Sequence, residues 1–474
     1  MVAHDNRREL LRELQQLELQ ACRVFVDEPH WLPPGDEAAL RYALSLARVS
    51  VVPLGTLIGS ETVEIGRATD NYRRRLYELL REPFETPRIS RADLPALMQR
   101  VRVLVREERA ALLEFLAPRL TPEALDRAVR TRPFALVLGG GGGTGYVFVG
   151  AMWELHEAGL TPDIITGTSM GAILGSFRAR QRDFPIEKMS RIVRELSWRK
   201  VFRLLDTHSR FGVPATLKLY LRAAVGEHFT VDGRVLQLGD MPIPLRIVVG
   251  GITDLSQPER YAHLLDGVDV DNPRTLRRRT AEIARALGDL LNRPTKPITL
   301  GQDDLTREFD VVDAMGFSAA VPGVIHYDVL RDDPRMHELL SALAQREHVL
   351  RFVDGGVADN LPARAAWEAV QGGSLGPRDP FVLALDSFEP RLALGSNLLF
   401  YPIMQMAYEN SRLGRKLAHH VVSFRHVLSP LAVVPTPDQL NWAIERGRAE
   451  FAPHVGLVRK MLEPVDVDEA VLRA

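Results

Sequence analysis

Residues 136–171 read LVLGGGGGTGYVFVGAMWELHEAGLTPDIITGTSMG, and their reading decides the fold. A short apolar stretch, Phe134 to Leu138, has the length and composition of a buried strand and runs into five consecutive glycines, Gly139 to Gly143. A helix is predicted next, closed by Gly159. A second short strand, Asp163 to Thr166, then delivers Ser169 inside Gly167-Thr168-Ser169-Met170-Gly171. In this G-x-S-x-G pattern small residues let a serine sit on a sharp strand-to-helix turn with its hydroxyl exposed. Met170 to Arg180 continues as a helix with Ile173, Leu174 and Phe177 on one face. The glycine run offers a row of unshielded backbone N–H groups at a helix N-terminus, a nest for an anion such as the oxyanion formed when a serine attacks an ester. Two consecutive strand–helix units therefore point to acyl-ester hydrolysis by an activated serine.

The glycines also satisfy a competing pattern. Gly140, Gly142 and Gly145 fit G-x-G-x-x-G between a strand and a helix, the dinucleotide fingerprint. That fold places an acidic residue at the end of the next strand, about 20 residues on. Here Asp163 begins the second strand, which ends in Gly167-Thr168-Ser169 instead. Dinucleotide binding is the weaker reading, and the absence of a closing Gly-Lys-Ser/Thr excludes a phosphate loop.

An activated serine needs a base. Arg351 to Pro362 reads RFVDGGVADNLP: an apolar strand, Val349 to Val353, ends in Asp354, and Gly355 and Gly356 permit a tight turn. Carboxylates at strand ends of an open α/β sheet face the ligand crevice. An Asp-Gly-Gly turn is also common as plain structure. Asp386, ending the strand Phe381 to Leu385, is a second candidate without a glycine turn behind it. A Ser-Asp-His triad would draw on His419, His420, His426 or His454. The adjacent pair His419-His420 follows a helical stretch, Asn397 to Leu417, where histidines commonly satisfy the helix dipole.

Glycine run, elbow serine and Asp-Gly-Gly in this order resemble the patatin-like phospholipase family, bacterial type. The resemblance covers roughly residues 133–390 and includes Ser318-Ala319-Ala320-Val321-Pro322-Gly323-Val324 before the aspartate strand. It implies a Ser–Asp dyad working without histidine. Ser169 would be the nucleophile and Asp354 the general base, with the N–H groups of Gly141, Gly142 and Gly143 forming the oxyanion hole. It also implies a fatty acyl ester of a phospholipid or lysophospholipid as substrate, with no metal and no organic cofactor. One position departs: such proteins usually carry Arg or Lys just before the last glycine of the run, and this chain has Thr144. Animal patatin-domain triacylglycerol lipases also lack that basic residue, so neutral lipids stay open as substrates. A non-catalytic lipid-binding or scaffold protein on the same fold is the alternative of another class.

Around this centre the 474 residues divide unevenly. Residues 1–132 are expected to form a helical cap or regulatory region. Leu10, Leu11, Leu14, Leu17 and Ala21 recur at helical spacing there, as do Leu97, Val101, Leu104, Val105, Leu112 and Phe115. Residues 133–390 alternate strand and helix, with strands near 134–138, 163–167, 244–252, 348–353 and 380–385, the pattern of a mainly parallel α/β sheet covered on both faces. Residues 391–474 read as C-terminal helices with Trp442, Ile444, Val455 and Leu457 as core. A net charge of −1 gives no bulk attraction to nucleic acid. The single cysteine, Cys22, allows no internal disulfide and suits a reducing compartment. With no apolar signal core at the start and no run of about 18 apolar residues, a soluble cytoplasmic protein is expected. Membrane contact would be peripheral. Arg178 to Arg203 carries nine Lys/Arg against three Asp/Glu, and Trp198, Val201, Phe202 and Leu205 fall on one helical face beside Arg199, Lys200 and Arg203. Such a basic amphipathic helix, around Arg191 to Arg203, suits an anionic lipid surface, or packs its apolar stripe inward. A second insertion, with Arg274, Arg277, Arg278 and Arg279, reads as a lid or a solvated face.

Overall fold

The computed structural model describes residues 2–55, 61–85, 93–183, 186–204, 210–213, 215–253, 295–329, 332–373, 375, 378–388 and 401–465. The chain forms two compact units, one of Met1–Ala135, Trp367–Leu383 and Pro453–Ala474, the other of Leu136–Ala366 and Ala384–Ala452. The arginine-rich candidate lid lies outside the described residues.

The first unit is built on helices α1 (Val2–Asp27), α2 (Pro34–Arg48), α3 (Asp70–Glu85), α4 (Leu94–Phe115) and α5 (Pro122–Arg130). A small antiparallel ribbon joins β1 (Val51–Pro53) to β2 (Thr62–Glu64). The expected stripes bury Leu14, Leu17, Ala21, Val101, Leu104, Val105 and Leu112 in one core with Tyr42, Leu76 and Val129. Phe115 departs from its stripe: it ends α4 and stands 76% exposed. Arg73 is fully buried because its guanidinium donates to the carbonyls of Ala47, Val49 and Gly66, satisfying the end of α2 that the helix itself leaves open.

The second unit carries the glycine run. Strand β3 (Phe134–Leu138) precedes α6 (Val147–Glu157), and β4 (Ile164–Thr168) precedes α7 (Met170–Ala179). Helices α8 (Ile186–Glu195) and α9 (Trp198–Val201) lead to β5 (Phe202–Leu204), β6 (Ala215–Leu219) and α10 (Leu221–Val225). A short ribbon pairs β7 (Thr230–Val231) with β8 (Arg234–Val235). Then come β9 (Leu245–Ile252), β10 (Thr295–Leu300), α11 (Asp304–Arg307), α12 (Val311–Ser318), β11 (Gly323–His326), α13 (Pro334–Glu347) and β12 (Arg351–Val353). The chain closes with α14 (Ala363–Gln371), β13 (Phe381–Asp386), α15 (Tyr401–Leu417), β14 (His420–Ser423) and α16 (Pro437–Leu462). The fold is mixed α/β, with a mainly parallel central sheet between helices, ordered β10-β9-β4-β3-β13-β14.

Strand β9 organises the site. On one edge β10 pairs with it antiparallel from Ile247 to Ile252. On the other edge β4 pairs parallel as far as Thr168 opposite Val248, and β12 pairs antiparallel from Val353 opposite Gly250 to Arg351 opposite Ile252. β4 and β12 therefore share one edge and run at each other head-on, their ends facing across one residue of β9, Val249. β10, inside the long second insertion, was not legible as a strand, and β12 runs against the parallel direction that alternation suggests.

Two other expectations are corrected. Trp198 to Leu204 is not one helix: after Val201 the chain turns into β5, and Phe202 pairs with Leu219 in a second sheet ordered β11-β6-β5, while Leu205 lies outside the described residues. Trp442 is 40% exposed rather than core, whereas Ile444 and Leu457 are buried. His419 and His420 follow the end of α15 at Leu417, both are buried, and His420 opens β14.

Candidate active site

Ser169 occupies the turn between β4 and α7 with φ 53° and ψ −123°. A non-glycine residue there costs about 1–3 kcal/mol, so the surroundings must hold it. Its N–H donates to Ser318 Oγ (2.9 Å), and the Ser318 hydroxyl donates to Val248 O (2.6 Å). Its carbonyl accepts the N–H groups of Ala172 and Ile173, which starts α7. Backbone packs on backbone around it: a Cβ at Gly167 would lie 2.6 Å from Gly171 O, and one at Gly171 2.6 Å from Gly139 O.

Asp354 follows β12 and is 6% exposed. Its N–H donates to Ala320 O (2.8 Å), and its Oδ1 accepts the Gly356 N–H (2.7 Å). Burial pushes its carboxyl up to about 6, against the opposing hydrogen bonds from the Ser169 side chain and the Gly356 N–H. Oδ2 has no hydrogen bond of good geometry among the described residues, so Ser169 meets the carboxylate in a contact looser than a formed hydrogen bond. The two glycines are needed for closeness. A Cβ at Gly355 would press on Val248 O and come within 3.0 Å of Thr168 Cγ2, and one at Gly356 would come within 2.9 Å of Asp354 Oδ1. Asn410 braces the turn, its Nδ2 donating to Gly356 O (3.2 Å) and Val357 O (2.6 Å).

The glycine run is fastened along its length. Gly139 N–H donates to Leu385 O and Gly140 N–H to Asn360 O, both at 3.0 Å. The structure departs from the expectation at Gly143, whose N–H donates to Pro430 O (2.9 Å) and so does not point toward the serine. Gly141 and Gly142 line the cavity beside Ser169, and among the described residues no acceptor takes their N–H groups. Gly142 has φ 59°, and any Cβ there would run into the Pro430 carbonyl.

Ser169 and Asp354 border a cavity of about 430 Å³. Its wall is aliphatic and aromatic, with Phe177, Ile192, Leu219 and Ile325 among the lining side chains, and among the described residues Asp354 is the one charged group in it. Trp198 and Leu431 line it while remaining 49% and 43% exposed.

None of His419, His420, His426 and His454 lines this cavity. His426 is exposed and pairs with Glu450 at 2.6 Å. Asp386 is engaged elsewhere, by Arg415 Nη2 (2.6 Å) and the Phe388 N–H (3.0 Å). Reading the sequence missed Ser318, Asn360 and Asn410 as site residues. Their partners lie 149 residues away for Ser318 and 53 to 54 for Asn410, beyond any local pattern.

Residues 136–367 match the family model for patatin-like phospholipase. Among curated proteins, "Lysophospholipase nte1" of Emericella nidulans is 48% identical over 59 residues, 12% of this chain and 4% of that protein. "Lysophospholipase NTE1" of Chaetomium globosum is 35% identical over 100 residues, 19% of this chain and 7% of that protein. "Patatin-like phospholipase domain-containing protein 7" of Rattus norvegicus is 45% identical over 60 residues, 13% of this chain and 4% of that protein. The chain thus spans only a small fraction of the length of the curated relatives it matches. With the elbow, the glycine run and the Asp-Gly-Gly turn inside the matched span, residues 136–367 are a patatin-like phospholipase domain.

Proposed function

We propose that this protein is a serine acyl hydrolase that cleaves a fatty acyl ester of a phospholipid or lysophospholipid with Ser169 and Asp354. The observation that carries the reading is the head-on approach of β4 and β12 along one edge of β9, which sets an elbow serine against a buried carboxylate on the wall of an apolar cavity. The acyl chain occupies the cavity and its ester carbonyl lies at Ser169. Asp354 takes the hydroxyl proton as Oγ attacks, and the Gly141 and Gly142 N–H groups receive the oxyanion. Collapse of the tetrahedral species expels the alcohol, which takes the proton back from Asp354 and leaves an acyl-enzyme. Water then attacks that ester while Asp354 accepts its proton. Asp354 returns that proton to Oγ as the acyl C–O bond breaks, which releases the fatty acid and restores Ser169.

A carboxylate with its pKa near 6 suits this work, because it is ionised at neutral pH yet basic enough to share a proton with the serine. The apolar wall, with no lining cation among the described residues, argues against a dinucleotide, whose charged pyrophosphate and ribose hydroxyls would face mostly hydrocarbon there. Arg191, Arg194, Arg199 and Lys200 are exposed, as is Trp198, while Ile192, Val193 and Val201 line the cavity. We place peripheral contact with an anionic membrane on that face, so that lipid enters from the bilayer. The test is hydrolysis of a panel of lysophospholipids, phospholipids and triacylglycerols by wild type and Ser169→Ala. Release of fatty acid by wild type alone supports the reading, and equal turnover by a folded Ser169→Ala protein refutes it.

A further inference from the structure

A pair of side chains, Thr144 and Ser387, also fastens the glycine run. Thr144 Oγ1 lies 3.0 Å from Gly141 O and 2.9 Å from Ser387 Oγ. The Thr144 N–H donates to the same Gly141 oxygen at 3.3 Å. Both hydroxyls are enclosed, Thr144 being 3% and Ser387 1% exposed. A hydroxyl has one proton, so if Thr144 gives its own to the Gly141 carbonyl, Ser387 must donate to Thr144 Oγ1.

The consequence lies in the peptide between Gly141 and Gly142. It is planar and trans, so its C=O and its N–H point in opposite directions. Fastening Gly141 O to Thr144 therefore aims the Gly142 N–H the other way, and Gly142 is a residue of the cavity wall beside Ser169. Two hydrogen bonds onto the carbonyl also polarise the amide and strengthen its N–H as a donor. The fit is close: a Cβ on Gly141 would come within 3.4 Å of Ser387 Oγ and nearer still to Thr144 Oγ1, so glycine at 141 is what lets the threonine close. Ser387 is itself placed by the end of β13, where the neighbouring Asp386 is fixed by Arg415 and the Phe388 N–H.

We propose that Thr144 and Ser387 are positioning residues that aim and polarise the Gly142 amide as an oxyanion donor. The inference rests on the reading of Ser169 as nucleophile and of Gly141 and Gly142 as oxyanion donors. Loss of one donor outright costs about 10²–10³ in rate. Thr144→Val keeps the shape and removes only the hydroxyl, and kcat should fall by roughly tenfold or more, short of that loss, with KM changed less than about twofold. Thr144→Ser should recover most of the rate. Ser387→Ala should lower kcat in the same way, and the double variant should be no worse than Thr144→Val, because both act through one carbonyl. The inhibition constant of a long-chain alkyl trifluoromethyl ketone, which mimics the tetrahedral species, should rise in proportion to the loss in kcat/KM. Wild-type kcat in both single variants, or losses that multiply in the double variant, would overturn the proposal. Should Thr144→Val fail to fold, Ser387→Ala and the inhibitor series decide the same question. Turnover that survives Ser169→Ala would instead remove the underlying reading, whatever the Thr144 variants do.

Discussion

Asp354 is asked to do two things that conflict. Burial makes it basic enough to accept a proton, and burial also penalises its charged form. Because the folded protein holds this proton more tightly than the unfolded chain, the stabilising contribution is fully present below the unfolded value near 4 and is lost as pH rises through about 6. Moving the carboxyl from 3.8 to about 6 corresponds to about 3 kcal/mol lost above pH 7. Asp354→Asn keeps the acceptor for the Gly356 N–H and escapes that loss. Its stability relative to wild type should therefore climb between pH 4 and pH 7, by up to about 3 kcal/mol in denaturant titrations. The same variant should lose about 10²–10⁴-fold in rate, and wild-type kcat/KM should fall below pH 6 with a single-proton limb. A flat stability difference across that range would mean that the carboxyl is not buried in the way described. The sequence made Ser169 and Asp354 legible because each sits in a short motif with its own turn glycines. It left the choice among Asp354, Asp386 and the histidines open, since only pairing in space shows that Asp386 already serves Arg415.

At the scale of elements, the site is a meeting of strand ends held by a serine on a third element. Ser318 closes α12 and ties the Ser169 N–H to Val248 O. Ser318→Ala would leave both buried groups unsatisfied, at about 1–3 kcal/mol. Chemical denaturation should register that loss, with a fall in kcat because the elbow loses its brace. No change in either would mean that the strained turn stands by other contacts. The cavity formed by α7, α8, β6 and α10 gives a second expectation. Each methylene of a buried acyl chain contributes about 0.8 kcal/mol, roughly fourfold, so kcat/KM should climb with chain length until the cavity is filled. Ala224→Phe narrows that wall and should shift the optimum to shorter chains. An unchanged optimum would place the acyl chain elsewhere. The strands flanking the glycines and the serine were legible from apolar runs of strand length. β10 and the antiparallel course of β12 were not, because strand direction is set by which neighbour a segment pairs with, and β5 replaced a helix because Phe202 pairs with Leu219.

At the scale of the molecule, charge is unevenly placed along the chain although the net charge is −1, with nine Lys/Arg against three Asp/Glu from Arg178 to Arg203. Among the described residues no helix is long and apolar enough to cross a membrane. The proposed route to lipid runs across the basic face around Trp198. Removing Arg191, Arg194, Arg199 and Lys200 together should weaken binding to phosphatidylserine vesicles by about fivefold per charge at low salt. The effect should vanish in high salt and be absent on phosphatidylcholine vesicles. Equal binding by the variant would move the contact to another face. The helical stripes at the start of the chain were legible, but the sharing of one unit among Met1–Ala135, Trp367–Leu383 and Pro453–Ala474 was not, because periodicity reports only near neighbours in sequence. The central claim is that Ser169 is a nucleophile activated by Asp354, and covalent labelling tests it most directly. Wild-type protein treated with a long-chain fluorophosphonate should gain one adduct, mapped by peptide mass to Ser169, at a rate that falls below pH 6 and drops at least about a hundredfold in Asp354→Asn. An adduct on another residue, or labelling of Ser169 at an undiminished rate without the carboxylate, would contradict it.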